Sequence, residues 1–229
     1  MNLLSGFSIE EILTNLHKIV DRLYALRSDI QNSKSPLFNF ANMLLIGHLD
    51  TRAARELIIQ PMRDLEIELE DEDEIVERIC KFTAGHPNVI QRLCQRLITR
   101  INGRHRLRLS VDDLEMVLTN TDFLRDDFLD TYWGQATLLE RLCTLVMASQ
   151  QNIHTLVDIH AALARLDPDL SLSDVNESLE RLVSLRNLLR RTPQGYIFAV
   201  TDFPRVIAQT YELNDLLALT YDKYKRGIV

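Results

Sequence analysis

Apolar residues recur every three or four positions along most of this chain, which is the spacing that places them on one face of an α-helix. The first such segment runs from Ser8 to Asp29 and opens with a capping-box pattern, Ser8 followed by Glu11. The apolar run NMLLIGHL then ends at Leu49 and favours a strand. Residues 1–49 are therefore predicted to form one helix and one strand.

Four short amphipathic helices are predicted in residues 50–122. Asp50 is placed to cap the first helix, the acidic run EDEDE begins the second, Pro87 begins the third, and Ser110 with Asp113 caps the fourth. The third helix has a continuous apolar stripe, formed by Val89, Ile90, Leu93, Cys94, Leu97, Ile98 and Ile101. Helices with such stripes are expected to pack as a small bundle.

Residues 123–202 follow a different order. A bridging helix in FLRDDFLDTYWGQ precedes three helices, centred on ATLLERLCTLVMA, TLVDIHAALARL and DVNESLERLVSL, of which the last is capped near Ser171 or Ser173. NLLRRTPQGYIFAV then predicts a hairpin, in which Gly195 supplies the positive φ of the turn. Three helices and a small β-hairpin are typical of a winged helix-turn-helix. The predicted fold class is therefore mainly α.

The last segment, residues 203–229, is predicted to be one helix, FPRVIAQTYELNDLLALTYDKY. Its apolar positions are Val206, Ile207, Leu213, Leu216, Leu217 and Tyr221. These side chains predict a packing face against the winged helix, and a dimer or coupling surface is the alternative. Trp133 and Tyr132, just before the first winged-helix helix, are expected to wedge between the two helical domains and supply buried area.

The composition and charge of the chain limit the classes of function that we expect for it. The 33 acidic and 26 basic residues give a net charge of −7, which argues mildly against a polyanionic partner. The three cysteines, Cys80, Cys94 and Cys143, lie in apolar helical patterns and are expected to be buried thiols in a reducing compartment, with no zinc. No run of about 18 apolar residues and no export signal are found, so no membrane contact and a cytoplasmic location are expected.

Catalytic motifs are absent from this sequence. No glycine begins the phosphate-binding pattern GxxxxGK[ST], and neither HExxH nor GxSxG occurs. The acidic stretch LEIELEDEDE is interpreted as a solvated helix start, favourable to the helix dipole, and not as a metal-holding strand end. We therefore expect no catalytic residue and no metal site in this chain.

The segment TAGHPNVIQRLCQRL places a Gly-His-Pro sequence at the start of a strongly amphipathic helix. Gly85 stands two residues before Pro87, which suits the first turn of a helix because its missing N–H costs nothing there. Gly85 supplies the permissive backbone for the turn. By these local rules alone, Gly85-His86-Pro87 is a tight turn at a helix start, with His86 half-exposed.

The order of these parts resembles a known family. LIGHLDTRAARELI and GHPNVIQRLC are similar to the region after the ATPase core in the STAND class of AAA+ proteins, where a last core strand leads to a four-helix lid. YWGQATLLERLCTLVMA resembles the entry to the winged helix that follows the lid in that class. The similarity covers about residues 36 to 200. It implies an AAA+-type lid over residues 50–122 and a winged helix over 123–202.

The resemblance implies a role for Gly85, His86 and Pro87. In such a lid the Gly-x-Pro motif lies against the adenine of bound ATP or ADP, and the ligand state sets the angle between lid and core. Residues 1–49 would then be a remnant of the ATPase core. The phosphate loop and metal-binding acids of the family are missing here, so the chain looks like a C-terminal piece that binds nucleotide only if a core is supplied. The Met-His-Asp signature of some relatives is also missing near His154 and His160.

Charge weighs against DNA binding by the winged helix. Its recognition helix carries Asp174, Glu177 and Glu180, against Arg181 and Arg186. Over residues 136–200 seven acidic side chains face six basic ones, so a protein contact is favoured.

Arg190 and Arg191 on the hairpin are the candidate nucleic-acid contacts, although two such arginines are more often a solvated strand face. The sequence therefore predicts a regulatory C-terminal portion of a STAND-type ATPase, not catalytic alone, whose partner is a protein or the missing core. A winged-helix transcription regulator and a nucleotide-free protein-interaction adaptor are the alternatives.

Overall fold

The computed structural model describes residues 47–104, 106–150 and 155–227. These residues are mainly helical, which confirms the predicted fold class. The residues from Gly47 onward belong to one compact unit. The helix predicted from Ser8 to Asp29 and most of the strand predicted before Leu49 lie outside the described residues, and the boundaries at residues 122 and 202 stay predictions.

All four helices predicted for the bundle are present. They are α1 (Thr51–Asp64), α2 (Glu72–Thr83), α3 (Pro87–Asn102) and α4 (Val111–Leu118). The Asp50 carboxylate accepts a hydrogen bond from the Ala53 N–H at 2.7 Å, and Ser110 and Asp113 form the expected capping box. The acidic run begins α2 as predicted, with Asp71 as its N-cap. The caps and the apolar stripes together therefore decide where these helices lie.

Two short strands inside the bundle are absent from the sequence prediction. β1 (Glu68–Leu69) pairs in parallel with β2 (Arg108–Leu109). Two residues are too few to show the alternation by which a strand is recognised in a sequence. The pair holds the loops before α2 and before α4 side by side.

A π-helix leads out of the bundle. It spans Phe123–Leu129 and continues directly into α5 (Asp130–Trp133), where the sequence predicts a bridging helix. The Asp127 carboxylate accepts hydrogen bonds from Arg92 (3.1 Å) and Arg96 (2.6 Å) of α3. These ion pairs fix the polar side of the bridge to the bundle.

The apolar side of the bridge continues the core by a chain of aromatic rings. Phe82 of α2 lies 4.8 Å from Phe128, which lies 5.4 Å from Tyr132, measured between ring centroids. Tyr132 in turn lies 6.1 Å from Phe203, and Phe203 stacks on Phe198 at 5.5 Å. Large aromatic side chains bury much apolar area, so this chain of rings is a major part of the core.

Three helices and a hairpin follow, which we call the hairpin module. They are α6 (Leu138–Ser149), α7 (Leu156–Ala164), α8 (Leu172–Ser184), β3 (Leu189–Thr192) and β4 (Gly195–Phe198). Ser171 is the N-cap of α8, which decides between the two candidate caps. Gly195 has φ +125°, as the turn requires. The predicted order of elements is confirmed, and the winged-helix assignment stays a prediction.

The C-terminal segment differs from the prediction of one helix, which was wrong. It forms α9 (Phe203–Thr210) and α10 (Leu213–Lys225), and Tyr211 between them has an extended backbone, with φ −141° and ψ +149°. α9 packs on the π-helix and less extensively on α6, whereas α10 packs on α6, so the chain turns between the two helices. The predicted apolar positions pack on the core, with Val206 and Ile207 fully buried and Leu213, Leu216, Leu217 and Tyr221 partly buried against it.

A buried ion cluster joins the parts of the hairpin module. Glu140 of α6 is fully buried, and its carboxylate accepts hydrogen bonds from Arg181 Nε (2.6 Å) and Arg186 Nε (3.1 Å). It also accepts the Thr137 N–H at 3.0 Å, which completes the cap of α6. One side chain therefore connects the start of α6, the last turn of α8 and the turn before β3.

Replacing Glu140 with glutamine is expected to destabilise the protein by about 3 kcal/mol or more, because two poorly solvated arginines lose their counter-charge. The measurement is the free energy of unfolding in urea. Glu177→Gln, at an exposed position on α8, is the control and should change that free energy by no more than about 0.5 kcal/mol. Equal effects of the two substitutions would contradict the assigned role of Glu140.

Candidate functional site

The turn between α2 and α3 contains the predicted Gly-His-Pro site. Ala84 and Gly85 both have left-handed backbones, with φ +50° and +76°. The Leu49 N–H donates to the Gly85 carbonyl at 2.8 Å, and a Cβ placed on Gly85 would lie 2.6 Å from the Leu49 carbonyl oxygen. Glycine is therefore required here both by conformation and by close packing.

This packing changes the role that the sequence predicts for Gly85. Gly85 is buried, and its nearest neighbour is the backbone of Leu49. The backbone of Leu49 fills the space on one side of Gly85. The adenine contact expected at Gly85 stays a prediction. Pro87 occupies the first turn of α3 as predicted, and both Pro87 and His86 are half-buried.

His86 belongs to a cluster of rings that the sequence does not reveal. Its ring centroid lies 5.5 Å from that of His48 and 5.1 Å from that of Tyr132, both with edge-on geometry. His48 forms hydrogen bonds with the backbone of Ala84 and of Asn187, which lies between α8 and β3. The cluster therefore connects the bundle turn to the hairpin module.

Both histidines of this cluster are held neutral. Burial lowers the pKa of His86 to about 4, with a further contribution from the neighbouring His48. Burial also lowers the pKa of His48, against the two backbone hydrogen bonds that raise it. His48 Nε2 and His86 Nδ1 are buried and have no hydrogen-bond partner among the described residues. Protonation would thus place charge where nothing compensates it.

A polar cavity of about 430 Å³ opens beside this turn. Its wall is formed by the start of α3 (His86, Asn88, Arg92), by α5 and the turn after it (Asp130, Thr131, Gly134, Gln135) and by the turn after α8 (Leu185, Arg186). Thus His86 is the member of the predicted Gly-His-Pro site that lines this cavity. The cavity lies between the bundle and the hairpin module, since both supply its wall.

Hydrogen-bond donors lie on the α3 and α8 sides of this cavity, and the Asp130 carboxylate lies on the α5 side. Arg92 and Arg186 line it, although each is also bound to a carboxylate, of Asp127 and Glu140 respectively. The first backbone hydrogen bond of α3 is from the Ile90 N–H to the His86 carbonyl, so the Asn88 and Val89 N–H groups are free of helical partners. A ligand with hydrogen-bond acceptors therefore suits the α3 side of this cavity best.

The hairpin arginines lie apart from this cavity. Arg190 is exposed, whereas Arg191 forms an ion pair with Glu180 and donates to the Tyr196 hydroxyl at 3.3 Å. The exposed start of α8 carries Asp174. A nucleic-acid role for Arg190 and Arg191 stays a prediction, and Arg191 is already engaged by a carboxylate.

Trp133 and His160 have structural roles. Trp133 is buried and donates from Nε1 to Thr144 Oγ1 at 3.0 Å, which confirms that it supplies buried area where α5 meets α6. His160 Nε2 lies 2.9 Å from the Leu170 carbonyl oxygen, and His154 lies outside the described residues.

The three cysteines are free thiols in the structure. Cys94 and Cys143 are buried free thiols, as predicted, and Cys80 is half-buried. Burial raises the pKa of Cys94 to about 12. In residues 47–104, 106–150 and 155–227 no cluster of three metal-binding side chains is found. Within the same ranges, no helix has the length and apolarity needed to cross a membrane.

Comparisons with known proteins give distant structural similarity only. No protein-family model and no curated protein matches the sequence. Two solved structures of RuvB variants from Thermotoga maritima match with a TM-score of 0.36 and sequence identities of 19% and 18%. Each match covers 67% of this chain and 47% of the RuvB chain, so the chain spans about half the length of those proteins. Similarity at this level does not establish a shared activity.

Gly85→Ala is expected to lower the free energy of unfolding by about 1–3 kcal/mol from its positive φ, with a further loss from the clash with the Leu49 carbonyl. Gly227→Ala is the matched control, because Gly227 has φ +62° but no atom within 4 Å of an added Cβ. Urea denaturation of both variants measures the difference. A loss at Gly227 as large as that at Gly85 would show that packing on Leu49 contributes nothing.

The histidine cluster predicts a loss of stability in acid. The folded pKa of His86, about 4, is below the unfolded value of 6.5, so the unfolded chain takes up a proton first. The contribution of His86 is therefore complete above pH 6.5, falls as the pH drops from 6.5 to 4, and levels off below. His86→Gln should flatten the dependence of unfolding free energy on pH in this window, and a slope equal to that of the wild type would contradict the assignment.

Proposed function

We propose that this chain is the regulatory C-terminal portion of a STAND-type AAA+ ATPase, relaying nucleotide state to a partner protein. The sequence resemblance over about residues 36 to 200 is one support. The observation that carries the proposal is the position of His86 and Asn88. They line a cavity whose remaining wall includes Arg186 of the hairpin module, so a ligand there touches both parts of the chain.

The residues of the α2–α3 turn have separate tasks in this proposal. Gly85 sets the turn, while the Pro87 ring and the His86 edge present apolar surface to the adenine of ATP or ADP. The phosphates are held by an ATPase core on another segment or another polypeptide. Because this sequence has no phosphate-binding loop, the chain binds and reports nucleotide but does not hydrolyse it alone.

The proposed relay depends on a cavity whose wall is formed by both the bundle and the hairpin module. A ligand shifts a conformational equilibrium only by its difference in affinity for the two states. A nucleotide that contacts the start of α3 and the turn after α8 favours the arrangement in which these two surfaces face each other. The partner protein then binds the hairpin module in one arrangement better than in the other.

A nucleotide-free adaptor is the second candidate, and one observation favours it. The inner side of the Gly-His-Pro turn is already filled by Leu49, His48 and Tyr132, which is how a purely structural turn would be built. An adaptor would use its surface for protein binding and show no nucleotide dependence. For the transcription regulator we find no such support, because Arg191 is paired with Glu180 and the exposed start of α8 is acidic.

A binding experiment separates the three functions. The chain is purified with the phosphate-loop ATPase that associates with it, and the affinity of the pair is measured with ADP, with ATP and without nucleotide. We expect a difference of about tenfold or more between nucleotide states, and Asn88→Ala should reduce that difference because Asn88 lines the cavity. Arg190→Gln is the control, since Arg190 lies on the hairpin outside the cavity lining.

Equal affinity in all nucleotide states would favour the adaptor and contradict the relay. Duplex DNA binding that weakens steeply with salt, and that Arg190→Gln reduces, would favour the regulator.

A further inference from the structure

A second cavity, of about 410 Å³, shares Asp130 and Gly134 with the first. Its other lining residues come from the π-helix, from α5 and α6, and from the junction of α9 and α10. This volume is within the range of small-molecule sites in proteins.

Arg141 gives this cavity an unusual cation. Its Nη2 donates to the Trp133 carbonyl at 2.8 Å, and its guanidinium carbon lies 5.9 Å from the centroid of the Trp133 ring. Its Nε is buried without a hydrogen-bond partner, and no carboxylate of the described residues lies within 4 Å to form an ion pair. Burial lowers the pKa of Arg141, although Asp130, Glu140 and Tyr211 act in the opposite direction.

Other arginines nearby are compensated. Arg181 and Arg186 are paired with the buried Glu140. Arg125, in the lining of the same cavity, is paired with Asp122 and Asp126. A half-buried guanidinium that lacks a carboxylate is costly unless a ligand supplies one. Arg141 is therefore the cavity side chain that most needs an anionic partner.

Asp130 is the complementary group in the same cavity. It is exposed, and within the part of the chain that the structure describes its carboxylate forms neither an ion pair nor a hydrogen bond. The negative charge of Asp130 raises the pKa of Arg141, but the two side chains are more than 4 Å apart. The two charges therefore line the same cavity without forming an ion pair. The apolar wall is provided by Leu129, Trp133 and Tyr211.

We propose that this cavity binds a free α-amino acid with an apolar side chain. The carboxylate of the ligand binds the Arg141 guanidinium, its ammonium group faces Asp130, and its side chain packs on Trp133, Leu129 and Tyr211. A simple anion would be repelled by Asp130, and a simple amine by Arg141, whereas a zwitterion satisfies both. This proposal stands independently of the nucleotide relay.

The test uses Trp133, which is the single tryptophan of the chain and lines the cavity. Leucine is titrated into the full chain while Trp133 fluorescence is recorded, and calorimetry repeats the titration so that a silent fluorophore is not mistaken for absence of binding. We expect saturable binding. N-acetyl-leucine lacks the ammonium group and leucinamide lacks the carboxylate, so each should bind at least about tenfold more weakly.

Variants assign the two charges. Asp130→Asn changes an exposed side chain, so the fold should be kept, and leucine affinity should fall about tenfold. Arg141→Lys keeps the positive charge but removes the planar fork, and should also weaken binding about tenfold. Arg205→Lys is the control, because Arg205 is exposed, pairs with Asp202 and does not line the cavity. Its affinity for leucine should equal that of the wild type.

Three results would overturn the proposal. The first is no saturable binding of leucine in either titration up to about 10 mM, which is weaker than specific small-molecule sites usually are. The second is binding of N-acetyl-leucine as tight as that of leucine, which would indicate a site for carboxylates only. The third is an unchanged affinity in Asp130→Asn together with a loss in Arg205→Lys, which would place binding elsewhere.

Discussion

Both carboxylate oxygens of Glu140 accept hydrogen bonds from arginines, and the whole side chain is shielded from water. A buried carboxylate is tolerated only when its charge and lone pairs are compensated, so this side chain requires Arg181 and Arg186 to be where they are. Because those arginines belong to α8 and to the turn before β3, Glu140 fixes the position of both relative to α6. The wall that Arg186 contributes to the first cavity depends on that constraint.

The junction between bundle and hairpin module is held in a different way. Aromatic rings from Phe82 to Phe203 form its interior, and His48 adds hydrogen bonds to two turns with left-handed backbone, at Ala84 and Asn187. Apolar packing has little directional preference, whereas the histidine bonds require particular carbonyl positions. The two kinds of contact together give the junction both its stability and its alignment. A ligand in either cavity would contact residues of this junction.

Helix positions were predictable from the sequence because their signals are local. The caps at Asp50, Ser110 and Ser171 and the proline at the start of α3 act within one turn of the chain, and the structure confirms all four. The break at Tyr211 was not predictable in this way, since α9 packs on both the π-helix and α6 whereas α10 packs on α6, and these contacts join residues far apart in sequence. Local propensity is regularly overridden by such tertiary contacts.

The candidate site was predictable only in part, for the same reason. Gly85 and Pro87 could be recognised as a turn and a helix start, and His86 as half-exposed. The contact of Gly85 with Leu49, and that of His86 with His48 and Tyr132, join residues far apart in sequence, and no periodicity or motif records them. The lack of a carboxylate partner for Arg141 also cannot be recognised in a sequence, because it depends on which side chains the fold brings near the guanidinium.

The π-helix at Phe123–Leu129 has a consequence for how this protein can change during evolution. A π-turn accommodates one more residue than an α-turn, so deleting a single residue there would relax the segment into an ordinary α-helix. Because the π-turn absorbs its extra residue locally, the residues on either side keep nearly the register of an uninterrupted α-helix. Tyr132 and Trp133 would therefore stay on the same face after such a deletion, whereas a one-residue deletion within a regular α-helix turns everything beyond it by about 100°. The π-helix should therefore tolerate the loss of one residue better than the regular helices of this protein do.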